Sequence, residues 1–334
     1  MRHPYSANNA IVTIIIPVYN VERYIERCAR SLYEQTYRHI EYIWVNDATP
    51  DESLDILKKV TEDYPNRKSQ IQIITHAQNQ GLPSARNTGL TIATGDYIFH
   101  CDSDDYVDKD MIRQFIHKAI DLSADIVYSD WYLSFHKRER YMKQPACEDG
   151  FTCIQAMLSG SMRFNVWNKL VRRSLYQEND IRFPPGKGMG EDMTMIRLFA
   201  YAENVAYLPK AYYHYMQVNP VAYTKVFSED HWNQLQGNVS DIKAFLTTKY
   251  GERLNTELHL FCLNVKLPLL ITGENSSYER WLTTYRESDA YIDTPQHRSF
   301  RIRWLQQMVL KRRFCLIRLH YCLVVKIIYG VIYR

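Results

Sequence analysis

The amino-acid sequence predicts an α/β fold: a mostly parallel sheet flanked by helices, with a helical C-terminal region behind it. Three features point there. Over residues 11–133, runs rich in Val, Ile and Tyr alternate with amphipathic stretches, the pattern of buried strands joined by crossover helices. Polar residues collect just past those runs, where open sheets of this kind bind ligands. From Ser228 onward the apolar period is helical.

Strands are predicted at IVTIIIPVY (11–19), IEYIWVN (40–46), IQIITH (71–76), DYIFHCD (96–102) and DIVYSDWYL (125–133). Helices fall between them at 22–35, 51–63, 83–93 and 108–121. The strand ends carry Tyr19–Asn20, Asn46–Asp47, His76 and Asp102–Asp105. A basic loop at 135–143 precedes a helical stretch near 150–160 and the segment FNVWNKLVRRSL (164–175). A Pro/Gly-rich loop opens residues 182–202 and leads into a helix near Glu191. VAYLPKAYYHYM (205–216) reads as two short strands around a turn. Internal repeats and low-complexity linkers are absent.

With 334 residues, 46% of them hydrophobic, the chain can bury one large core or two smaller ones. Its net charge of +4 hides an asymmetry: nine Lys/Arg and no Asp or Glu lie between Thr294 and Arg334. That leaves 32 basic against 37 acidic residues in the body. A basic amphipathic helix lying on an anionic membrane surface fits this tail, with an internal packing helix as the alternative. Arg318, His320 and Lys326 interrupt its apolar run and argue against a membrane span. A nucleic-acid partner is disfavoured by the acidic body and the lack of any recognisable module. The seven cysteines are scattered, without a zinc-like pair. No charged-then-apolar leader precedes Ile11, so the expected compartment is the reducing cytoplasm.

FHCDSDDYV (99–107) sets three carboxylates at a strand end, an arrangement that raises the energy of each. A calcium loop starting at Asp102 needs Gly and Glu where this chain has Val107 and Arg113. A helix cap accounts for one carboxylate, and Asp108 is better placed for it. A shared divalent cation explains more: Asp102 and Asp104 project to one side of an extended strand end and can hold it together with phosphate oxygens. Without that cation, the stretch is expected to be strained or mobile.

Four segments resemble, in order, the nucleotide-sugar domain of family 2 glycosyltransferases, the GT-A fold. They are IIIPVYN (14–20), YIWVNDATPDES (42–53), NQGLPSARNTGL (79–90) and GDYIFHCDSDDYV (95–107). The chain departs at Asn46 and Ala48, where the family usually has Asp and Gly. The resemblance implies a donor site built from Pro17, Val18, Tyr19, Asp47, Arg86, Asp102 and Ser103, with Asp47 on the base of a UDP-linked sugar. It implies Mn²⁺ or Mg²⁺ on Asp104 and Asp102, with His214 as a third ligand. GMGEDMTM (188–195) resembles the family's Glu-Asp motif, making Asp192 the base, with Glu191 as runner-up. VWNKLVRRS (166–174) resembles an acceptor-side segment, which places Trp167, Asn168 and Lys169 near the acceptor. For each, a structural role stands beside the functional one: a cap for Asp47 and the Glu-Asp pair, a solvated helix position for Arg86, a core ring for Trp167 and His214.

The organisation implied is a GT-A domain over 1–225, with a nucleotide-sugar half at 11–130 and an acceptor half at 131–225, followed by a helical region at 226–334. The implied activity is inverting transfer to a hydroxyl of a glycan or lipid-linked glycan at the cytoplasmic membrane face. A nucleotidyltransferase is the rival, but it needs a Gly-rich first loop where this chain has PVYNVERY. A non-catalytic sugar-nucleotide-binding protein is the other. ATPase and dehydrogenase loops are missing after the first strand.

Overall fold

The computed structural model describes residues 9–135, 137–188, 190–217, 228–297 and 299–332, with the side chains of Glu191 and 328–332 outside that description. Two compact units result: Met1–Ile154 with Phe164–Ile242, and Gln155–Arg163 with Lys243–Arg334.

In the first unit, β1 (Val12–Val18), α1 (Ile25–Tyr33), β2 (Ile40–Asn46), α2 (Ser53–Glu62), β3 (Ile71–Thr75), α3 (Leu82–Ile92) and β4 (Tyr97–His100) follow the predicted alternation. Then come β5 (Tyr106–Val107), α4 (Met111–Asp121), β6 (Ile126–Ser134), β7 (Glu139–Met142), the start of α5 (Gly150–Leu158), β8 (Lys169–Arg172), α6 (Arg173–Glu178), α7 (Thr194–Tyr201) and β9 (Val205–Met216). The sheet order is β3-β2-β1-β4-β8-β6-β9-β5, with β7 paired to β6. β1 through β4 are parallel; β8 runs antiparallel to both β4 and β6, while β9 is parallel to β6.

Every residue of β1 and β2 is buried, as runs covered on both faces require. β4 stops pairing with β1 at Ile15, so Pro17, which has no N–H to give, lies beyond the doubly paired part of β1. Gly89 explains how α3 reaches the sheet. A Cβ there would stand 2.4 Å from a methyl of Ile15, so only glycine lets α3 settle onto β1.

One sequence expectation is corrected. Residues 205–216 form a single strand, not two around a turn. Pro209 and Lys210 bulge out where the register with β6 jumps from Ser129↔Leu208 to Asp130↔Ala211. A bulge absorbs a residue without a ladder donor.

The second unit takes in the end of α8 (Glu229–Tyr250), then α9 (Asn255–Lys266), α10 (Asn275–Thr283), α11 (Phe300–Leu310), α12 (Phe314–His320) and a wider π-helical stretch, Tyr321–Ile332. The Lys266 ammonium is fully buried, donating to Thr284 O at 2.8 Å and Asp289 Oδ1 at 2.6 Å and lying 3.7 Å from the Trp281 ring centroid. A buried charge is tolerated when it is paired and hydrogen-bonded in this way. Among the described residues, no helix is long and apolar enough to cross a membrane.

Candidate active site

The site forms at the carboxyl ends of β1, β2 and β4, and Arg86 on α3 is its hub. Its side chain is 1% exposed; Nη2 donates to Asp102 Oδ1 at 2.8 Å and Nη1 to Asp192 Oδ1 at 3.3 Å. The guanidinium also lies over the Phe183 ring at 5.4 Å. Both carboxylates keep about a quarter of their surface in water, so the cation is desolvated and its partners are not. Two charge-assisted contacts offset that desolvation. Next door, Asn87 Nδ2 donates to Phe183 O at 2.8 Å, and its Oδ1 accepts from Phe183 N at 2.9 Å. The Arg-Asn pair therefore fixes the segment that leads to Asp192.

The acidic residues divide by role. Asp105 N closes a turn onto Asp102 O at 3.1 Å. Asp105 is fully buried; Oδ2 accepts from Tyr213 Oη at 2.7 Å, and Oδ1 from Met216 N at 2.7 Å. Burial, and then the charges of Asp104 and Asp102, push its carboxyl well above the ordinary range. The Tyr213 hydroxyl in turn accepts from Asp102 N at 3.1 Å. From α1, Arg27 Nη2 donates to Asp104 O at 3.3 Å, and Cys28 Sγ approaches Asp102 O at 3.7 Å. The left-handed backbone that strain would bring is absent from residues 102–105. Tyr213, Arg27 and Cys28 supply the support instead. Sequence reasoning missed all three, and alternation along 211–216 was the only available signal for Tyr213.

Asp47 is buried at the end of β2, and its carboxylate serves the loop between β3 and α3. Oδ1 accepts from His76 Nδ1 at 2.7 Å and Gln80 N at 2.8 Å, and Oδ2 from Gly81 N at 2.8 Å. His76 Nε2 continues to Thr88 Oγ1 at 2.9 Å. Gly81 has φ +85°, a conformation that needs glycine. Pro17, Val18 and Ser103 are buried, whereas Tyr19 is exposed at the end of β1. Beside it, Asn20 and Ala48 hold left-handed conformations, and Asn20 N donates to Thr49 Oγ1 at 2.8 Å.

Trp167, Asn168 and Lys169 lie inside the protein rather than on an open acceptor face. The Trp167 ring is 4% exposed, stacked on Tyr213 at 4.5 Å and Tyr215 at 5.0 Å. Asn168 Nδ2 donates to Ser129 O at 2.8 Å. Lys169 Nζ donates to Asn165 O at 2.6 Å and Asn168 Oδ1 at 2.9 Å. Burial pushes the Lys169 ammonium down to about 7, against the pull of Asp192 and Cys153.

A pH signature follows. Above about pH 7 the folded chain sheds the Lys169 proton while the unfolded chain keeps it up to the ordinary lysine value, 10.5, so stability rises with pH in that window. Relative to Lys169→Met, the wild type is expected to gain roughly 2 kcal/mol between about pH 7 and pH 9. Urea midpoints at the two pH values check it, and parallel curves would place the lysine pKa elsewhere.

His214 is engaged by two other carboxylates. Nδ1 lies 2.7 Å from Glu139 Oε1 and Nε2 lies 3.3 Å from Asp108 Oδ1, while the ring stacks between Tyr106 at 4.2 Å and Tyr132 at 4.9 Å. Among the described residues, no group of three His, Cys, Asp or Glu side chains could hold a metal ion. Asp192 lies in a short 3₁₀ turn, Glu191–Met193, ahead of α7; the side chain of Glu191 is outside the described residues.

A mostly parallel sheet flanked by helices, with these residues at its carboxyl edge, is the GT-A architecture of glycosyltransferases. The chain belongs to glycosyl transferase family 2, whose family model matches residues 13–194. It is 32% identical over 278 residues to EpsJ, an uncharacterized glycosyltransferase of Bacillus subtilis (strain 168), covering 80% of this chain and 79% of EpsJ. Among solved structures, TarS from S. aureus in complex with UDP-GlcNAc is similar with a TM-score of 0.65 at 18% identity, over 93% of this chain and 91% of that one. The mannosyltransferase PcManGT from Pyrobaculum calidifontis, in complex with GDP-Man and Mn²⁺, gives a TM-score of 0.54 at 15% identity, over 91% and 86%.

Proposed function

We propose that this glycosyltransferase moves a sugar from a nucleoside diphosphate, UDP-linked, to a hydroxyl of a glycan or lipid-linked glycan, with inversion. The observation that carries this reading is Arg86, which holds the donor-side Asp102 and the proposed base Asp192 on one guanidinium. TarS binding UDP-GlcNAc supports the donor class.

The acceptor hydroxyl attacks the anomeric carbon as Asp192 takes its proton. The carbon–oxygen bond to the diphosphate breaks, and its electron pair leaves with the nucleotide. Backbone groups at Pro17, Val18 and Tyr19 serve the base end; Asp47 acts through the loop it holds, and Ser103 is buried within the acidic turn. Trp167, Asn168 and Lys169 brace the acceptor half, 131–225, from inside. Arg86 keeps Asp102 and Asp192 oriented and lends the site a permanent positive charge from beneath them.

Asp102 and Asp104, both partly exposed, fit a divalent cation that arrives with the diphosphate rather than a site made wholly of protein ligands. Mn²⁺ or Mg²⁺ there would stabilise the charge growing on the leaving diphosphate. His214, already engaged by Glu139 and Asp108, is left out of this set. The basic stretch 294–334 supports an acceptor at the cytoplasmic face of an anionic membrane. The test is UDP release from a panel of UDP-sugars, measured with Mn²⁺ and again after chelation. Turnover that vanishes on chelation and returns with metal is expected; turnover indifferent to metal would remove the role of Asp104.

A further inference from the structure

We infer that the contact with an anionic lipid bilayer is made by one particular face of the C-terminal helix, the outer side of α12 and the π-helical stretch after it. The inference rests on the membrane reading above and goes beyond it by naming the surface.

An inner line of residues docks this helix onto its own unit. Phe314 packs on Tyr278 at 5.4 Å, Ile317 is completely buried, and the Tyr321 ring lies where a Cβ on Gly273 would stand 2.6 Å from it. Among the described residues, the opposite side has no such cover. Leu319, Leu323 and Ile327 are 54%, 50% and 48% exposed, and they recur every four residues. Cys315 continues the line toward the N-terminus, and it too is exposed. A second exposed line, also at intervals of four, runs beside it: Arg318, Cys322 and Lys326. A spacing of four keeps residues on one side of a helix over this length.

Half-exposed leucines and isoleucine at regular spacing are not scattered surface residues; they form one stripe. Charge decides the occupant. No Asp or Glu occurs anywhere from Thr294 to Arg334, and the stripe is flanked by cations whose long stems can lie along acyl chains while their heads reach phosphate. A helix of this kind lies in the headgroup region, apolar line inward.

Vesicle flotation tests the assignment, with equal parts phosphatidylcholine and phosphatidylglycerol compared with phosphatidylcholine alone. The full chain is expected to float with the anionic vesicles and stay behind with the neutral ones. Leu319→Ser/Leu323→Ser/Ile327→Ser is expected to lower the partition coefficient by about tenfold or more. Arg318→Gln/Lys326→Gln is expected to weaken binding mainly at low salt. Both variants alter exposed side chains, and unchanged circular dichroism and UDP release in solution confirm that the fold and the site persist. If the triple variant floats as well as wild type, the face is wrong while the membrane reading stands. If wild type floats with neither vesicle, both fail and the transferase reading is untouched. If light scattering shows a dimer that the triple variant converts to monomer, the stripe is a subunit interface and the inference falls.

Discussion

Asp192→Asn is expected to leave a folded protein whose transfer rate falls by about two to four orders of magnitude, the usual contribution of a positioned general base. Asparagine keeps the shape and can still offer Oδ1 to Arg86 Nη1, which now stands 3.3 Å away. What it loses is the ability to accept the acceptor's proton. The loss is therefore expected in kcat at saturating donor, with UDP affinity within a few-fold of wild type. An unchanged kcat would move the base elsewhere, and Glu191→Gln is the parallel measurement that asks whether its neighbour in the motif does the work.

Arg86→Gln is expected to be damaging in two separable ways. Transfer falls by about a thousandfold, because Asp102 and the proposed base Asp192 lose the cation that positions both. Stability falls too. Breaking a buried ion pair costs about 3–5 kcal/mol, and the lower end applies because Asp102 and Asp192 are partly solvated. Arg86→Lys is expected to recover little activity, since an ammonium is a point charge and cannot reach two carboxylates as a planar fork does. Urea unfolding and initial rates on the same preparations separate the two effects. Full recovery by lysine would mean that charge alone is needed there.

Much of the fold was legible because the parallel half is written in uninterrupted apolar runs. β1, β2, β3, β4 and β6 each lie within one residue of their predicted ends or inside them. What escaped notice were strands without that signature. β5 is two residues long, β7 is largely exposed, and β8 begins on a lysine. Pro209–Lys210 imitates a turn inside β9, because a bulge and a turn use the same residue types.

The candidate site was legible as motifs but not as contacts. Motifs mark Asp102, Arg86 and Asp192, yet 106 residues separate Arg86 from Asp192, and only the fold reveals that they touch. Polar and aromatic residue types fit an open site and a satisfied interior equally well. His214 shows this: its chemistry suits a metal, but Glu139, Asp108 and two tyrosine rings surround it. Lys169 and Trp167 follow the same logic, since burial is decided by the sheet around them.

The carboxylate of Asp47 has a thermodynamic consequence. By holding His76, Gln80 N and Gly81 N, it sets the crossover between β3 and α3 in its final shape before any nucleotide arrives. A floppy crossover would have to be frozen at the moment of association, at roughly 1–2 kcal/mol for each residue ordered. Here that entropy is surrendered during folding, so a donor seated at the proposed site meets a preset crossover and more of its contact energy appears as affinity.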